Sequence, residues 1–176
     1  MDESNRADAV GQLLDKQAIH EVLMRYCRGV DRIDGALISS SFHPDARCEF
    51  GKRILEGEGI GNTIAETAAA FDLTHHMVGN ELIELQGDSA VGESYYLSST
   101  VISGEHVKQV RVRAGRYVDR LERRDGEWRL AHRLVVEDWC RVDSLPELAP
   151  DTAFCPGVQG LSDPLYSMIA PPSQHS

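Results

Sequence analysis

The first part of the chain has the periodicity of amphipathic helices. From residue 7 to residue 33, apolar side chains recur at steps of three and four, which predicts one long helix. The apolar positions are Leu13, Leu14, Ile19, Val22, Leu23, Tyr26, Cys27 and Val30. Gly29 weakens the end of this helix, and residues 34–35 predict a turn before a second short helix that ends near Phe42. Pro44 predicts that end, because a residue before proline avoids the helical conformation.

Beyond residue 46 the pattern changes to that of a sheet. A short strand is predicted at 47–50, and a third helix at 58–71 follows a glycine-rich stretch. From residue 74 onward apolar and polar residues alternate, which predicts half-buried strands. The predicted long strands are 74–86, 89–103, 107–124 and 127–139. Gly-Asp, Ser-Gly and Asp-Gly pairs separate them, and Asp-Gly in particular favours a tight hairpin.

Helices followed by a meander of strands predict an α+β fold, a cone-shaped barrel with three N-terminal helices packed on a strongly curved antiparallel sheet. The 176 residues suffice for one such domain, which we place at 1–140. Residues 141–176 form a tail that contains six of the seven prolines, so it cannot supply a core strand. The tail also carries many apolar side chains, and we expect it to cover the domain or a neighbouring subunit.

Composition excludes several classes of protein. With 18 basic and 28 acidic residues the net charge is −10, which argues against a general nucleic-acid binder or a membrane-surface protein. No apolar run approaches the roughly 20 residues of a membrane span, and the polar N-terminus has no leader-like apolar segment, so we expect a cytoplasmic protein. The four cysteines show no metal-ligand spacing, and we expect neither a metal nor another cofactor.

Positive charge is concentrated in one stretch of the chain. Between residues 107 and 133 there are nine Lys or Arg and four acidic residues, so this stretch carries +5 and the remainder −15. One interpretation is that these charges are solvated or form ion pairs, including pairs between subunits. The other is that they form a basic wall for an anionic substrate, such as a carboxylate or a thioester carrier. The sequence leaves both open.

Four strings in the chain resemble the nuclear transport factor 2-like superfamily, and within it the SnoaL-like and scytalone dehydratase-like enzymes. They are RYCRGVDRID at 25–34, FHPDARCEF at 42–50, THHMVGN at 74–80 and LERRDGEWRL at 121–130. The resemblance spans about residues 10–140 and implies the α+β barrel described above. It implies less about function, since this fold hosts dehydratases, isomerases, cyclases, hydrolases, dioxygenase small subunits and proteins without activity.

The resemblance implies a catalytic pair. In the dehydratases and dehydrochlorinases of the superfamily, an aspartate at the end of the first helix pairs with a histidine early in the first long strand. The matching positions are Asp31 and His76. The implied substrate-binding residues are Tyr26, Tyr96, Tyr117, Arg133, Val135 and Glu137. The tyrosines are candidate donors to a developing oxyanion.

The residue pattern alone leaves several of these assignments open. His75 and His76 must point to opposite faces of a strand, so only one can enter a pocket; the resemblance selects His76. Asp31 could instead bond to a turn amide, and Tyr26 lies on the apolar helix face, where core packing explains it equally well. Arg133 could pair with Glu137 in the pocket wall or at a subunit interface.

The sequence also departs from the resembling enzymes. Residues 95–99 replace a second catalytic histidine of scytalone dehydratase, Gly115 replaces its strand serine, and Glu137 stands where the bile-acid dehydratase has an arginine. The resemblance therefore implies the Asp31–His76 pair and neither of these two specific reactions.

An imidazole held by a carboxylate is a suitable base near neutral pH. The leading hypothesis is therefore a cofactor-free lyase or isomerase that removes a proton from a small cyclic, steroid-like, terpenoid or polyketide-like molecule. Two alternatives belong to other classes: a protein that binds a small ligand without turnover, and a structural small subunit of a ring-hydroxylating dioxygenase. The exposed face of the curved sheet also leads us to expect a homodimer or homotrimer.

Overall fold

The computed structural model describes residues 3–104, 107–145 and 153–169. The helices in these ranges are α1 (Glu3–Arg32), α2 (Gly35–Ser39), α3 (Ile60–Ala69) and α4 (Pro164–Ile169), with a 3-10 turn at Gly57–Gly59. The strands are β1 (Phe42–Phe50), β2 (Arg53–Glu56), β3 (Leu73–Gln86), β4 (Ser89–Ile102), β5 (Lys108–Arg124) and β6 (Glu127–Leu145). No helix in the described ranges is long and apolar enough to cross a membrane.

The predicted α+β architecture is confirmed: the N-terminal helices pack on one curved sheet with the strand order β2-β1-β6-β5-β4-β3. Neighbouring strands are antiparallel except β1 and β6, which run parallel, whereas the prediction made the sheet antiparallel throughout. The difference arises because α3 carries the chain from β2 to the far edge of the sheet. The meander from β3 to β6 then returns to β1 in the same direction.

The predicted second helix ends earlier than its apolar pattern suggested. It stops at Ser39, and Phe42 already begins β1. Pro44 therefore lies within a strand, in a segment without register partners between Phe42 and Arg47. A proline is tolerated there because no ladder hydrogen bond is required from its nitrogen.

The turn between α1 and α2 fixes the end of the first helix. A Cβ at Gly29 would lie 2.7 Å from Cγ1 of Ile38, so only glycine lets α2 approach this closely. Asp34 then caps α2, since its Oδ1 accepts the Leu37 N–H at 2.9 Å. Gly29 was expected only to weaken the helix; in the structure it also allows the close contact between α1 and α2.

Three β-bulges in the long strands alter the strict alternation predicted for them. In β3 the register shifts between Gly79 and Leu82, with Asn80 at φ +47°, so Thr74 and His76 share the inner face with Ile83. In β6 the extra residues are Ala131 and Asp138. Trp128, near the start of β6, lies in the core.

The last strand and the tail also differ from the predicted boundaries. β6 continues to Leu145, beyond the expected end at residue 139, because it remains paired with β5 as far as Lys108. In the described part of the tail, Gly160 N–H donates to the Arg32 carbonyl at 3.0 Å and Asp163 forms a 3.1 Å ion pair with Arg32. Residues 146–152 and 170–176 of the tail lie outside the described residues.

Candidate active site

One carboxylate binds His76 at two points. Asp31 Oδ1 lies 2.6 Å from Nδ1 of the imidazole, and Asp31 Oδ2 accepts the backbone N–H of His76 at 2.9 Å. The two side chains are 13% and 14% exposed, so water competes weakly for these bonds. His75, the neighbour on β3, is exposed on the other face of the strand.

The local folds of α1 and β3 bring this pair together. Asp31 lies in the last turn of α1, and His76 is the fourth residue of β3. Beside them, the Thr74 hydroxyl donates to the Val30 carbonyl at 3.4 Å, which joins the helix end to the strand a second time. The geometry of the pair is therefore supported by backbone as well as side-chain contacts.

The double contact determines which nitrogen of His76 carries the proton. A carboxylate accepts hydrogen bonds, so Nδ1 must donate and the neutral ring then has its lone pair on Nε2. A second bond from the same carboxylate to the backbone prevents the ring and the acid from moving independently. The arrangement can hold a proton acceptor toward a bound molecule and stabilise the imidazolium that forms.

His76 lines a cavity of about 240 Å³ between the helices and the inner face of the sheet. Its apolar wall comes from Tyr26, Val30, Phe50, Leu55, Ile64, Ala68 and Phe71. Its polar wall comes from Arg53, Thr67, Thr74, His76, Ser98, Thr100 and Arg113. An apolar wall that faces converging polar groups is typical of a site for a small organic molecule.

Strand register places two further polar residues beside His76. Ser98 on β4 is its direct cross-strand partner, and Arg113 on β5 is the partner of Ser98. The three residues form a row on the inner face, with a base, a hydroxyl and a cation. Ser98 and Arg113 were not predicted as site residues because the row depends on strand pairing, which the alternation of residues does not define.

Arg53 is a third polar residue of the cavity wall that was not predicted from the sequence. It lies at the start of β2, and its Nη1 donates to the Thr67 hydroxyl of α3 at 3.1 Å. Thr67 in turn donates to the Thr63 carbonyl at 2.7 Å, so a fixed chain of hydrogen bonds leads to the arginine. Arg53 lies outside the basic stretch 107–133, and its sequence neighbours gave no signal of a cavity role.

In the described residues, no group of three or more His, Cys, Asp or Glu side chains could hold a metal ion. The buried thiol of Cys27, four residues before Asp31, is also an unsuitable nucleophile. Burial raises its pKa to about 12, an effect that Arg133 opposes, so the thiol stays protonated near neutral pH. The chemistry of the cavity therefore centres on the imidazole.

Comparison with known families decides the assignment of the chain. Residues 11–134 match the sequence model of the SnoaL-like domain, which is most of the chain. The chain belongs to the SnoaL-like family. This family is part of the nuclear transport factor 2-like superfamily, and the resemblance proposed from sequence is thereby confirmed.

Solved structures share the fold of this SnoaL-like protein. A type 2 hexachlorocyclohexane dehydrochlorinase matches with TM-score 0.74 and 20% identity, over 82% of this chain and 99% of that one. A candidate scytalone dehydratase from Novosphingobium aromaticivorans matches with TM-score 0.66 and 19% identity, over 74% and 88%. A protein of unknown function from Mycobacterium tuberculosis matches with TM-score 0.64 and 23% identity, over 92% and 88%. No curated protein matches the sequence.

The structure places only one of the predicted substrate-binding residues in the cavity wall. Tyr26 lines it, while its ring packs edge-on against Tyr117 at 5.9 Å. Burial raises the pKa of Tyr26. The Cys48 thiol raises this pKa further, and the Arg133 guanidinium lowers it. Its hydroxyl is therefore a neutral donor near neutral pH.

Tyr96, Tyr117 and Arg133 lie in the core below the cavity. The Tyr96 and Tyr117 rings are stacked at 4.7 Å, and the Arg133 guanidinium lies 4.1 Å from the centre of the Tyr117 ring. Arg133 is fully buried and pairs with Asp119 through two bonds of 2.8 and 2.7 Å. Burial alone would lower the pKa of Arg133, but Asp119 raises it well above its usual value, so the residue stays charged.

Val135 and Glu137 also lie outside the cavity wall. Val135 packs against the core, and Glu137 forms a 3.0 Å ion pair with Arg113. The suggested Arg133–Glu137 pair is wrong, because Asp119 is the partner of Arg133. Direct substrate contact by all six residues proposed for binding, Tyr26 included, stays a prediction.

Of the two interpretations of the basic stretch 107–133, the structure favours ion pairs over a basic wall. Eight of its nine basic residues pair with acidic residues of the same chain. Of the nine, Arg113 lines the cavity of His76. The stretch therefore contributes one cation to this cavity and no continuous basic wall.

Proposed function

We propose that this protein is a cofactor-free lyase or isomerase of the dehydratase type, acting on a small cyclic, steroid-like or polyketide-like substrate. The observation that supports this most is the double hydrogen bond from Asp31 to His76 at the wall of an apolar cavity. Such a pair supplies a base of fixed tautomer beside an apolar wall. The similarity to dehydrochlorinase and dehydratase folds agrees with this chemistry.

The proposed reaction begins when a substrate C–H proton moves to Nε2 of His76. The electron pair of the C–H bond forms a carbon–carbon double bond or an enolate. In elimination this pair expels a leaving group from the adjacent carbon, and the imidazolium returns its proton to the leaving group or to water. In isomerisation the imidazolium returns the proton to a different carbon of the substrate.

Tyr26 would assist by donating a hydrogen bond to oxygen. It lines the same cavity as His76, and its raised pKa keeps the hydroxyl protonated. A neutral donor directed at a developing enolate oxygen stabilises the transition state more than the ground state. Asp31 balances the positive charge that develops on the imidazole.

Deuterium exchange tests the proposal without knowledge of the natural substrate. The wild-type protein should incorporate solvent deuterium beside the carbonyl of a cyclic ketone such as 4-oxocyclohexanecarboxylate methyl ester, followed by NMR. His76→Ala should abolish the exchange, whereas the matched variant His75→Ala, altered on the exposed face of the same strand, should retain it. Equal exchange in both variants would refute the assignment, and ligand binding without exchange would favour the non-catalytic alternative.

We also propose that the protein is a homo-oligomer. Cross-strand pairing aligns Met77, Leu97, Ala114 and Trp139 in one row on the outer face of the sheet. Met77, Leu97 and Trp139 are exposed despite being large and apolar. An apolar row across four strands is a surface that a second copy of this chain could cover.

A further inference from the structure

Positively charged side chains take part in the wall of the His76 cavity. Its lining includes two arginines, Arg53 and Arg113, and none of its described lining residues is Asp or Glu. The chain as a whole carries 28 acidic and 18 basic residues. Guanidinium groups in a cavity wall are suited to bind an anionic group.

Arg113 is held in place and still has donors available. Its Nε lies 3.0 Å from Oε2 of Glu137, and both side chains are 46% exposed. A guanidinium has five N–H donors, more than one carboxylate can accept. Glu137 does not line the cavity, so it can orient the arginine without occupying the site.

Arg53 carries a charge that no described acidic residue neutralises. Its Nη1 donates to the neutral Thr67 hydroxyl, and it forms no ion pair in the described part of the chain. Its side chain is exposed at the edge of the cavity, where an anion could reach it. Arg53 and Arg113 come from strands separated by β1 and β6, and sheet curvature brings both to one cavity.

We propose that the substrate is a small cyclic carboxylic acid whose carboxylate is bound by Arg113 and Arg53. Its ring then contacts the apolar wall formed by Phe50, Leu55 and Ile64. Arg113 lies two strand spacings from His76, roughly 10 Å between backbones, so the carboxylate and the reacting carbon occupy different parts of the molecule. This inference rests on the proposed function for its reacting carbon, but the anion site can be tested separately.

A matched pair of ligands tests the anion site. Calorimetry would compare 4-oxocyclohexanecarboxylate with its methyl ester, which keeps the ring and the ketone but lacks the charge. The wild-type protein should bind the acid about tenfold more tightly than the ester, as expected for a partly exposed charge-assisted contact. Arg113→Gln and Arg53→Gln should each reduce this preference at least about threefold and leave ester affinity unchanged.

Arg116→Gln is the matched control. Arg116 lies on the same strand as Arg113 but pairs with Tyr95 on the outer face and with Glu93, so its variant should keep the full preference. His76→Ala should also retain the preference while losing exchange, which separates this inference from the proposed function. Equal affinity of wild type for acid and ester, no detectable binding of the acid, or a preference that survives both arginine substitutions together would overturn the anion site.

Discussion

Replacing Asp31 with asparagine removes a charge while nearly preserving shape. In the native site each carboxylate oxygen accepts one hydrogen bond from His76. An asparagine has a single oxygen, so its amide N–H₂ must face either the backbone N–H or Nδ1. If the amide N–H₂ faces the backbone N–H of His76, two donors face each other. If it faces Nδ1, then Nδ1 must accept, so the imidazole proton moves to Nε2 and Nε2 can no longer act as the base.

Each orientation of the asparagine amide should lower the rate of exchange, by an amount that can be bounded. Loss of a hydrogen bond to a charged group costs about 1.5–3 kcal/mol, or roughly 10- to 150-fold in rate. The wrong tautomer costs up to about 10⁴-fold in the analogous hydrolytic triad. We therefore expect Asp31→Asn to lower kcat/KM for deuterium exchange by about 10- to 10⁴-fold.

The assay is NMR-detected exchange of the cyclic ketone in D₂O. Glu21→Gln is the control, because it removes a carboxylate from an exposed position of the same helix. Circular dichroism should show both variants folded. If Asp31→Asn exchanged within twofold of wild type, Asp31 would not set the tautomer of His76 and the reasoning would fail.

Three further predictions concern stability and assembly. Burial raises the pKa of the Cys27 and Cys48 thiols to about 12, so both should resist a disulfide reagent at pH 8 until the protein is unfolded. These thiols ionise at lower pH in the unfolded state than in the folded state. Urea titrations should therefore show the free energy of unfolding falling as pH rises from about 9 to about 12, by up to ~1.4 kcal/mol per pH unit for each thiol. Asp163→Asn should lower the Tm and expose the tail to protease, because Asp163 pairs with Arg32 beside the active-site aspartate; equal protease sensitivity would contradict this anchoring. Trp139→Glu should convert a sedimenting oligomer into monomers, and a monomeric wild type would refute the proposed interface.

The helices and most strands could be predicted because they depend on local patterns. The stripe that contains Val22, Tyr26 and Val30 is indeed buried, and Asp-Gly at 125–126 does form the hairpin between β5 and β6. The prediction of a buried stripe fails at Leu13 and Leu14, which are exposed. Periodicity shows which face of the helix is apolar but not how far the sheet extends beneath it.

The cavity wall could not be predicted because it is a property of register and curvature. Arg133, expected in the pocket wall, lies deeper on the inner face, where it is fully buried and pairs with Asp119. Ser98 and Arg113 join His76 only through strand pairing, and Arg53 only because α3 packs near β2. The Asp31–His76 pair came from resemblance to a family, since residue pattern alone did not choose between His75 and His76.

The central claim is that Asp31 makes Nε2 of His76 the proton acceptor. Long-range ¹H–¹⁵N NMR of histidine-labelled protein, at a pH where the ring is neutral, measures this directly. The account predicts a protonated Nδ1 and an unprotonated Nε2 for His76, with the assignment confirmed by its loss in His76→Ala. A proton on Nε2 in the wild-type protein would contradict the account.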